Sequence, residues 1–439
     1  MRPIALALRA LFIALVFALA LARYAAARLL GRGREPAARD RLRGDVLASA
    51  LTRLGATFVK LGQIMATRPD VLPEGLIAGL AGLQDDVPAA PISEVHRTLA
   101  REWSFDARRL VADIDPAPLA AASVAQVYRG TLRDGRRVAI KVQRWSAARH
   151  IEGDLSIMEA FARVIDWLPG MRYVSLPGSV GRFASALREQ IDFRIEADNN
   201  RRLARNFDGD AVVRVPWLVD ELCTRRVLVM ELVDGIKPTE VQVGRRELAQ
   251  AGFRCIAKMV FVDGFVHADM HPGNMLFTRA GEVYLIDTGL CAEIPREMRK
   301  PWSDTFLAVA LGDGRRAAEL FWGYAPVVHG SDFDGFARDV AAHLTALRGR
   351  PIEEIEVSRA VGGAMGILRR HRVQVDPIFT VVNLAMLVAE GIGKQLDPGF
   401  DVYAGAMPYL AEAALLYPTG TEPTRPAGRA AARQAEDRA

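Results

Sequence analysis

Apolar residues run almost unbroken from Ile4 to Ala22, with Arg9 the single interruption. A helix rises about 1.5 Å per residue, so this stretch just crosses a hydrocarbon core about 30 Å thick if Arg9 snorkels toward one interface. Residues 1–22 therefore predict a membrane anchor. Arg23, Arg28, Arg32 and Arg34 follow the stretch and outnumber Arg2 and Arg9 before it, which places the bulk of the chain on the cytoplasmic side. Ala18-Leu19-Ala20 and Ala20-Leu21-Ala22 also resemble cleavage sites, so a cleaved signal peptide is the rival reading. Residues 23–45 read as a basic juxtamembrane linker, or as the start of a helix lying on anionic headgroups.

From Val46 the apolar spacing turns helical until Pro69 and Pro73 stop it. Gly75 to Val87 predicts a second short helix, and Ser93 is the expected N-cap of a third over Glu94 to Trp103. The period then changes. Pro118 to Lys141 predicts a strand, a turn at Asp134-Gly135 and a strand ending in Val138-Ala139-Ile140-Lys141. Gly181 to Phe207 predicts one helix rich in both charges, and Val227 to Gly235 a buried strand followed by a linker. Beyond Gln242 helical spacing dominates, over Pro301–Leu311, Arg315–Phe321, Asp334–Leu347 and Ile378–Val388. The last of these is too short and mixed for a membrane span and reads as core. Residues 418–439 are Pro, Thr, Ala, Arg and Glu-rich and predict a disordered tail.

A chain of 439 residues holds two or three structural units, and 50% hydrophobic residues are enough for a large core. The net charge of +5 and a pI near 9.2 favour an anionic partner: lipid, nucleotide or nucleic acid. No aromatic-and-basic RNA signature and no zinc-finger spacing is found, which sets nucleic acid aside. Cys223, Cys255 and Cys291 are odd in number and widely spaced, so a reducing compartment fits better than a disulfide framework. That choice also favours the uncleaved anchor over export.

The candidate chemistry centres on Val266 to Asp287. His267-x-Asp269, an Asn five residues later, then a short apolar strand delivering Asp287 beside a Gly, has the grammar of a phosphoryl-transfer site. Asp269 is the carboxylate to orient an attacking oxygen and accept its proton; Asn274 and Asp287 are the oxygen ligands for magnesium. Residues Glu282 to Asp287 alternate after a Gly281 turn as a hairpin strand does, which returns Asp287 to the same loop. His267, Asp269 and His271 could instead be a metal cluster, but no third His-rich segment supports it. Upstream, Lys141 ends a V-A-I-K strand and is the candidate phosphate ligand. Where a protein kinase carries a Gly-rich loop, this chain has Ala120-Ala121-Ala122-Ser123, and alanine resists the positive φ that glycine allows. Glu196, beside Phe193 and Ile195, is the candidate anionic partner of Lys141, with Glu189 its substitute. Glu231 to Val233 is the candidate hinge for the adenine edge. No A-P-E string follows Asp287, so no activation segment under phosphorylation control is evident.

These strings in this order resemble the UbiB/ADCK family of atypical kinase-like proteins linked to ubiquinone biosynthesis, from about Leu51 to about Leu311. Lys60-Leu61-Gly62-Gln63 is similar to that family's K-x-G-Q signature, and the T-R-P-D and L-Q-D-x-V-P strings follow it. The resemblance implies an α+β, bilobal protein-kinase-like fold. Its parts would be a helical N-terminal extension over 46–115, an N-lobe over 116–233 and a mainly helical C-lobe over 234–417. It further implies that the extension folds over the substrate site, with Lys60 and Gln63 directed at the nucleotide pocket in a regulatory role. Ala121, Ala122 and Ser123 match its alanine-rich loop, Lys141 and Glu196 its ion pair, and Asp269, Asn274 and Asp287 its catalytic and metal residues. Three features depart from it. Gln190 replaces the first acid of an E-x-D pair whose second position is Asp192; D-F-G is Asp287-Thr288-Gly289; and the apolar segment is N-terminal while the tail is polar.

The expected activity is magnesium-assisted transfer of the ATP γ-phosphoryl group to water or a small lipid-like acceptor, at the cytoplasmic face of a membrane. The expected partners are ATP, Mg2+, anionic membrane lipids, and quinone-biosynthesis proteins or an isoprenoid lipid. Two alternatives remain: a nucleotide-binding pseudokinase scaffold, and a small-molecule phosphotransferase of the aminoglycoside or choline kinase type, which lacks the K-x-G-Q extension.

Overall fold

The computed structural model describes residues 3–66, 73–80, 82–83, 89–122, 124–145, 147–166, 176–242, 244–348, 357–397, 399–400 and 402–417. In chain order its helices are α1 (Pro3–Leu29), α2 (Pro36–Leu54), α3 (Ala56–Ala66), α4 (Glu74–Leu80), α5 (Ile92–Glu102), α6 (Phe105–Arg109), α7 (Ala147–Asp166) and α8 (Leu176–Gln190). They continue as α9 (Phe193–Asn206), α10 (Arg245–Ala257), α11 (Arg296–Leu311), α12 (Gly314–Tyr324), α13 (Phe333–Arg348), α14 (Val357–Arg370), α15 (Pro377–Leu396) and α16 (Val402–Leu416). The strands are β1 (Val111–Ala121), β2 (Ala125–Leu132), β3 (Arg137–Gln143), β4 (Val213–Arg214), β5 (Val227–Glu231) and β6 (Phe265–His267). After them come β7 (Met275–Phe277), β8 (Val283–Leu285), β9 (Cys291–Glu293), β10 (Val327–Val328) and β11 (Val373–Gln374). Two units divide the chain, residues 1–201 with 216–233, and residues 202–215 with 234–439.

The first unit is built on an antiparallel sheet of order β1-β2-β3-β5. The period of two along β3 decides what each face holds. Val138, Ile140 and Val142 point to a core shared with Tyr128, Val229 and the Val95, Leu99 and Trp103 face of α5. Ala139 points the other way, into a cluster with Leu228, Met230 and the Phe193 and Ala197 of α9. Lys141, two residues on, therefore shares the face that α9 covers. β1 lies at the edge, where Pro116 and Pro118 interrupt its register without costing the sheet a ladder bond. It begins at Val111, inside the stretch expected to be helical.

Helices α1 to α4 form a layer around Ala50, Leu51, Leu54, Phe58, Val59 and Leu80. Gly44 and Gly79 let α2 and α4 touch backbone to backbone, since a Cβ on Gly79 would meet the Gly44 carbonyl carbon at 2.5 Å. Several expectations are corrected here. α2 opens at Pro36, a residue suited to the first helical position, so most of 23–45 is helical, the second of the two readings of that segment and not the linker. α5 starts at Ile92 after Pro91, and Ser93 is not its cap. α4 ends at Leu80, short of Val87. The helix expected over 181–207 is two: α8 ends at Gln190 and α9 restarts at Phe193, because Asp192 turns its carboxylate back to accept from the Arg194 N–H at 3.1 Å and caps the new helix. Arg9 does not snorkel; it is paired with Asp154 of α7. The T-R-P-D string, residues 84–88 of the L-Q-D-x-V-P string, Ser123 and the tail over 418–439 lie outside the described residues.

In the second unit α10 passes into one π-helical turn, Lys258–Asp263, which ends at Gly264 with φ +61° and releases the chain into β6. β6 pairs antiparallel with β9, and β7 with β8, the hairpin expected around Gly281. Beneath them lies the largest core cluster, in which Met270, Met275, Phe277, Val283 and Leu285 meet the buried faces of α10, α15 and α16. α15 is thus core, as its mixed apolar pattern predicts. A second cluster joins α11 to α14 around Trp322, Phe336 and Leu368. All three cysteines are free thiols, and burial pushes the Cys255 thiol up, so it is inert.

Candidate active site

On the sheet, both carboxylate oxygens of Glu196 accept from the Lys141 ammonium, at 2.8 and 3.0 Å. The side chains are 12% and 4% exposed, so the pair is shielded from solvent and weakly screened by salt. Phe193, one turn before Glu196 on α9, lies under the ammonium at 5.4 Å. Sequence reasoning missed Phe193 as part of this site, although its i, i+3 spacing to Glu196 was readable.

Ala120 and Ala121 end β1, and the Ala122 N–H donates to the Ala125 carbonyl at 2.8 Å. That amide is spent internally, unlike those of a phosphate-cradling glycine loop. At the hinge, the Glu231 N–H donates to Trp217 and the Leu232 N–H to Arg137. The Val233 amide has no backbone partner among the described residues.

Lys60 and Gln63 share one side of α3, and Gln63 donates its amide to the Leu83 carbonyl at 3.3 Å. A Cβ on Gly62 between them would lie 2.3 Å from the Leu83 Cδ1 and 2.7 Å from the Leu51 Cδ1, so both side-chain ends would have to move. Asp192 is not brought to Lys60. It binds Arg194 at 2.6 and 2.9 Å and lies 3.6 Å from Arg225, and the hydrogen bond from Arg194 holds its carboxyl below the usual range.

In the second unit, the loop after β6 is organised by His267, which is fully buried at the end of β6. Its Nδ1 accepts from the Asp269 N–H at 3.3 Å, so its Nε2 carries the proton and donates to the Asp287 carbonyl at 2.9 Å. Burial holds this imidazole below its ordinary pKa, against the pull of Asp287 and Asp269, and keeps it neutral. Asn274, 6% exposed, donates its side-chain amide to the Asp269 carbonyl at 2.9 Å, and its own carbonyl accepts from the Ile286 N–H at 2.9 Å. The loop is thereby closed on itself. Asp269 and Asp287 are exposed at its surface. Asp287 has φ +57°, a left-handed conformation that short polar side chains tolerate.

A sequence profile of the ABC1 atypical kinase-like domain matches residues 82–321, and one of the UbiB helical domain matches residues 340–401. The chain belongs to the ABC1/UbiB family of atypical kinase-like proteins. It is 32% identical over 386 residues to a probable protein kinase UbiB of Marinobacter nauticus, covering 84% of this chain and 70% of that one. A probable protein kinase UbiB of Aeromonas hydrophila is likewise 32% identical, over 385 residues, with the same coverage. In fold it is similar to Rv3197 of Mycobacterium tuberculosis, solved as an erythromycin complex, with a TM-score of 0.56, 22% identity and coverage of 81% of this chain and 92% of that one. The fold is the α+β, bilobal kinase-like one.

Kinase-like folds commonly use a nucleotide-bound magnesium ion, and the donor set of this chain would fit one. With its amide nitrogen committed to Asp269, Asn274 presents its side-chain oxygen, and Asp287 adds a carboxylate on an exposed turn. Two protein oxygens suit a cation that keeps waters and takes its remaining ligands from phosphates. The alternative metal cluster fails. Both nitrogens of His267 are engaged, and no group of three or more His, Cys, Asp or Glu among the described residues could hold a metal.

Proposed function

We propose that the chain is an ATP-dependent atypical kinase or ATPase at the cytoplasmic face of a membrane, supporting ubiquinone or related isoprenoid-quinone biosynthesis. The names of its curated relatives, probable protein kinase UbiB, support the kinase reading. The observation that carries it is the shielded, two-bonded Lys141–Glu196 pair, which holds an ammonium in place where it could meet phosphate oxygens. In this reading Lys141 takes ATP phosphate oxygens while Glu196 and Phe193 fix its ammonium, and the Val233 amide takes the adenine edge. Magnesium held by Asn274 and Asp287 would neutralise charge on the phosphates. Asp269 orients the acceptor oxygen and takes its proton as the bond from that oxygen to the γ-phosphorus forms and the bond from the γ-phosphorus to ADP breaks. The acceptor is water or a small lipid-like hydroxyl compound. Helix α1, the one described helix long and apolar enough to cross a membrane, supports the placement at a bilayer.

One observation favours the scaffold reading: the Ala122 amide is committed to the Ala125 carbonyl and offers nothing to a phosphate. Magnesium-dependent phosphate release from ATP decides, measured with and without anionic, cardiolipin-containing liposomes beside an Asp287→Asn control. Turnover that vanishes in the control supports the enzyme. Nucleotide binding without turnover in either condition leaves the scaffold.

A further inference from the structure

Asp154, in the middle of α7, is 2% exposed, and among the described residues its cation is Arg9 of α1. Arg9 Nε donates to Oδ1 at 2.7 Å and Nη2 to Oδ2 at 2.9 Å, while Nη2 also reaches the carbonyl of Leu54, the last residue of α2, at 2.6 Å. The Thr57 hydroxyl adds a third bond to the carboxylate at 2.9 Å. The one charge in the apolar stretch is therefore committed to the folded unit. Val16, one face further along, is buried against α2 and α3, and Phe17 meets Phe58 edge to face.

The opposite side of α1 is bare. Ile4, Leu8, Leu11, Leu15 and Leu19 are 75, 62, 67, 54 and 47% exposed. Their offsets of four, three, four and four residues put them in one stripe on a helix turning about 100° per residue. Were α1 to cross a bilayer, Arg9 would enter hydrocarbon and Asp154 would keep its charge in the interior with a single hydroxyl donor. We propose that α1 does not span the membrane but lies in its plane, docked on α2, α3 and α7 through Arg9–Asp154, with the Ile4-to-Leu19 stripe in the acyl chains of an anionic lipid surface.

Charge complementarity selects that occupant over a second copy of the chain. Arg23, Arg28, Arg32 and Arg34 follow the stripe. At its other end Leu6 helps line a cavity of about 690 Å³ that also receives Arg101, Arg225 and Arg226, with Glu102 and Glu152. Arg101 and Arg226 lie 4.2 and 5.3 Å from the Trp145 ring, an aromatic with cations beside it as at a membrane interface. The inference rests on the membrane placement proposed above, not on catalysis, and adds how α1 meets the bilayer.

The test uses the full chain with a short epitope ahead of Met1, in bacterial membrane vesicles whose cytoplasmic face is outward. Added protease should remove the epitope together with the kinase-like unit; an epitope protected while that unit is cut means that α1 spans, and overturns the proposal. In hydrogen exchange on the purified chain, Arg9→Gln should raise exchange across residues 6–20 at least tenfold, and Asp154→Asn should do so to a smaller extent. Unchanged exchange in both overturns the docking. Sedimentation with phosphatidylglycerol vesicles should exceed that with phosphatidylcholine alone, and no binding to either overturns the choice of occupant. None of these readouts needs ATP turnover, so a catalytically silent protein would refute the enzyme and leave this inference standing.

Discussion

Lys141 and the Asp269–Asp287 loop serve the same proposed chemistry but are held in place by different physics. Lys141 is placed by the pleat of β3 and held by a charged partner, Glu196, that comes from a helix 55 residues away. The loop is fixed by several neutral bonds, from His267 to Asp287, from Asn274 to Asp269 and from Ile286 to Asn274, each modest. A site built on one shielded ion pair fails all at once when a partner is removed. A site built on distributed hydrogen bonds loses its chemistry before it loses its shape.

The sharpest test of that contrast is Asp287→Asn. Asparagine tolerates the left-handed backbone and keeps the shape, so phosphate release should fall at least about 10³-fold, about 4 kcal/mol of barrier, while the melting temperature moves little. Lys141→Met should act on both quantities. It removes the ammonium that both Glu196 oxygens accept from, costing up to about 3–5 kcal/mol in denaturant unfolding and lowering turnover about 10²-fold. Adding Glu196→Leu should return most of the stability and none of the turnover; a double variant as unstable as the single would contradict the account of the pair. His267→Phe removes two bonds from the loop at once, and should cost about 2–3 kcal/mol with a smaller loss of turnover than Asp287→Asn.

The smallest effect concerns Asp192, the cap of α9. Its folded pKa lies below the unfolded value of about 3.9, so its contribution is fully present above that pH and is lost as pH falls through the folded pKa. Stability measured against pH should show this component only in that acid window, and Asp192→Asn, which can still cap, should flatten it. Asp192→Ala should cost about 1 kcal/mol at neutral pH.

Residues whose chemistry depends on sequence spacing were readable before the fold was known. Lys141 lies on β3 and is bonded to Glu196 of α9, and Asn274 and Asp287 flank the β7–β8 hairpin, as the spacing predicts; the roles of these residues and of Asp269 belong to the proposal. What could not be read depended on competition between neighbours. The charge pattern over 181–207 runs on without a break, and only the turn of the Asp192 carboxylate onto the Arg194 amide divides it. β1 contains two prolines, two aspartates and four alanines against two β-branched residues, Val111 and Ile114, and becomes a strand only because β2 offers it an edge. The Arg9 of α1 looks the same in sequence whether it snorkels or pairs, and Asp154, 145 residues away, carries the difference.

Thr288 has a consequence for selective chemistry. In protein kinases the aromatic residue after the metal-binding Asp sets active and inactive states by where it packs. Here that position is a threonine, 2% exposed, with the Cys291 thiol 3.7 Å from its carbonyl. No ring is present to swing out and vacate a pocket, so inhibitors that select a displaced aromatic should find no state to capture. Discrimination between this protein and ordinary kinases should instead come from compounds that read the alanine segment, where a methyl group stands in place of a glycine hydrogen.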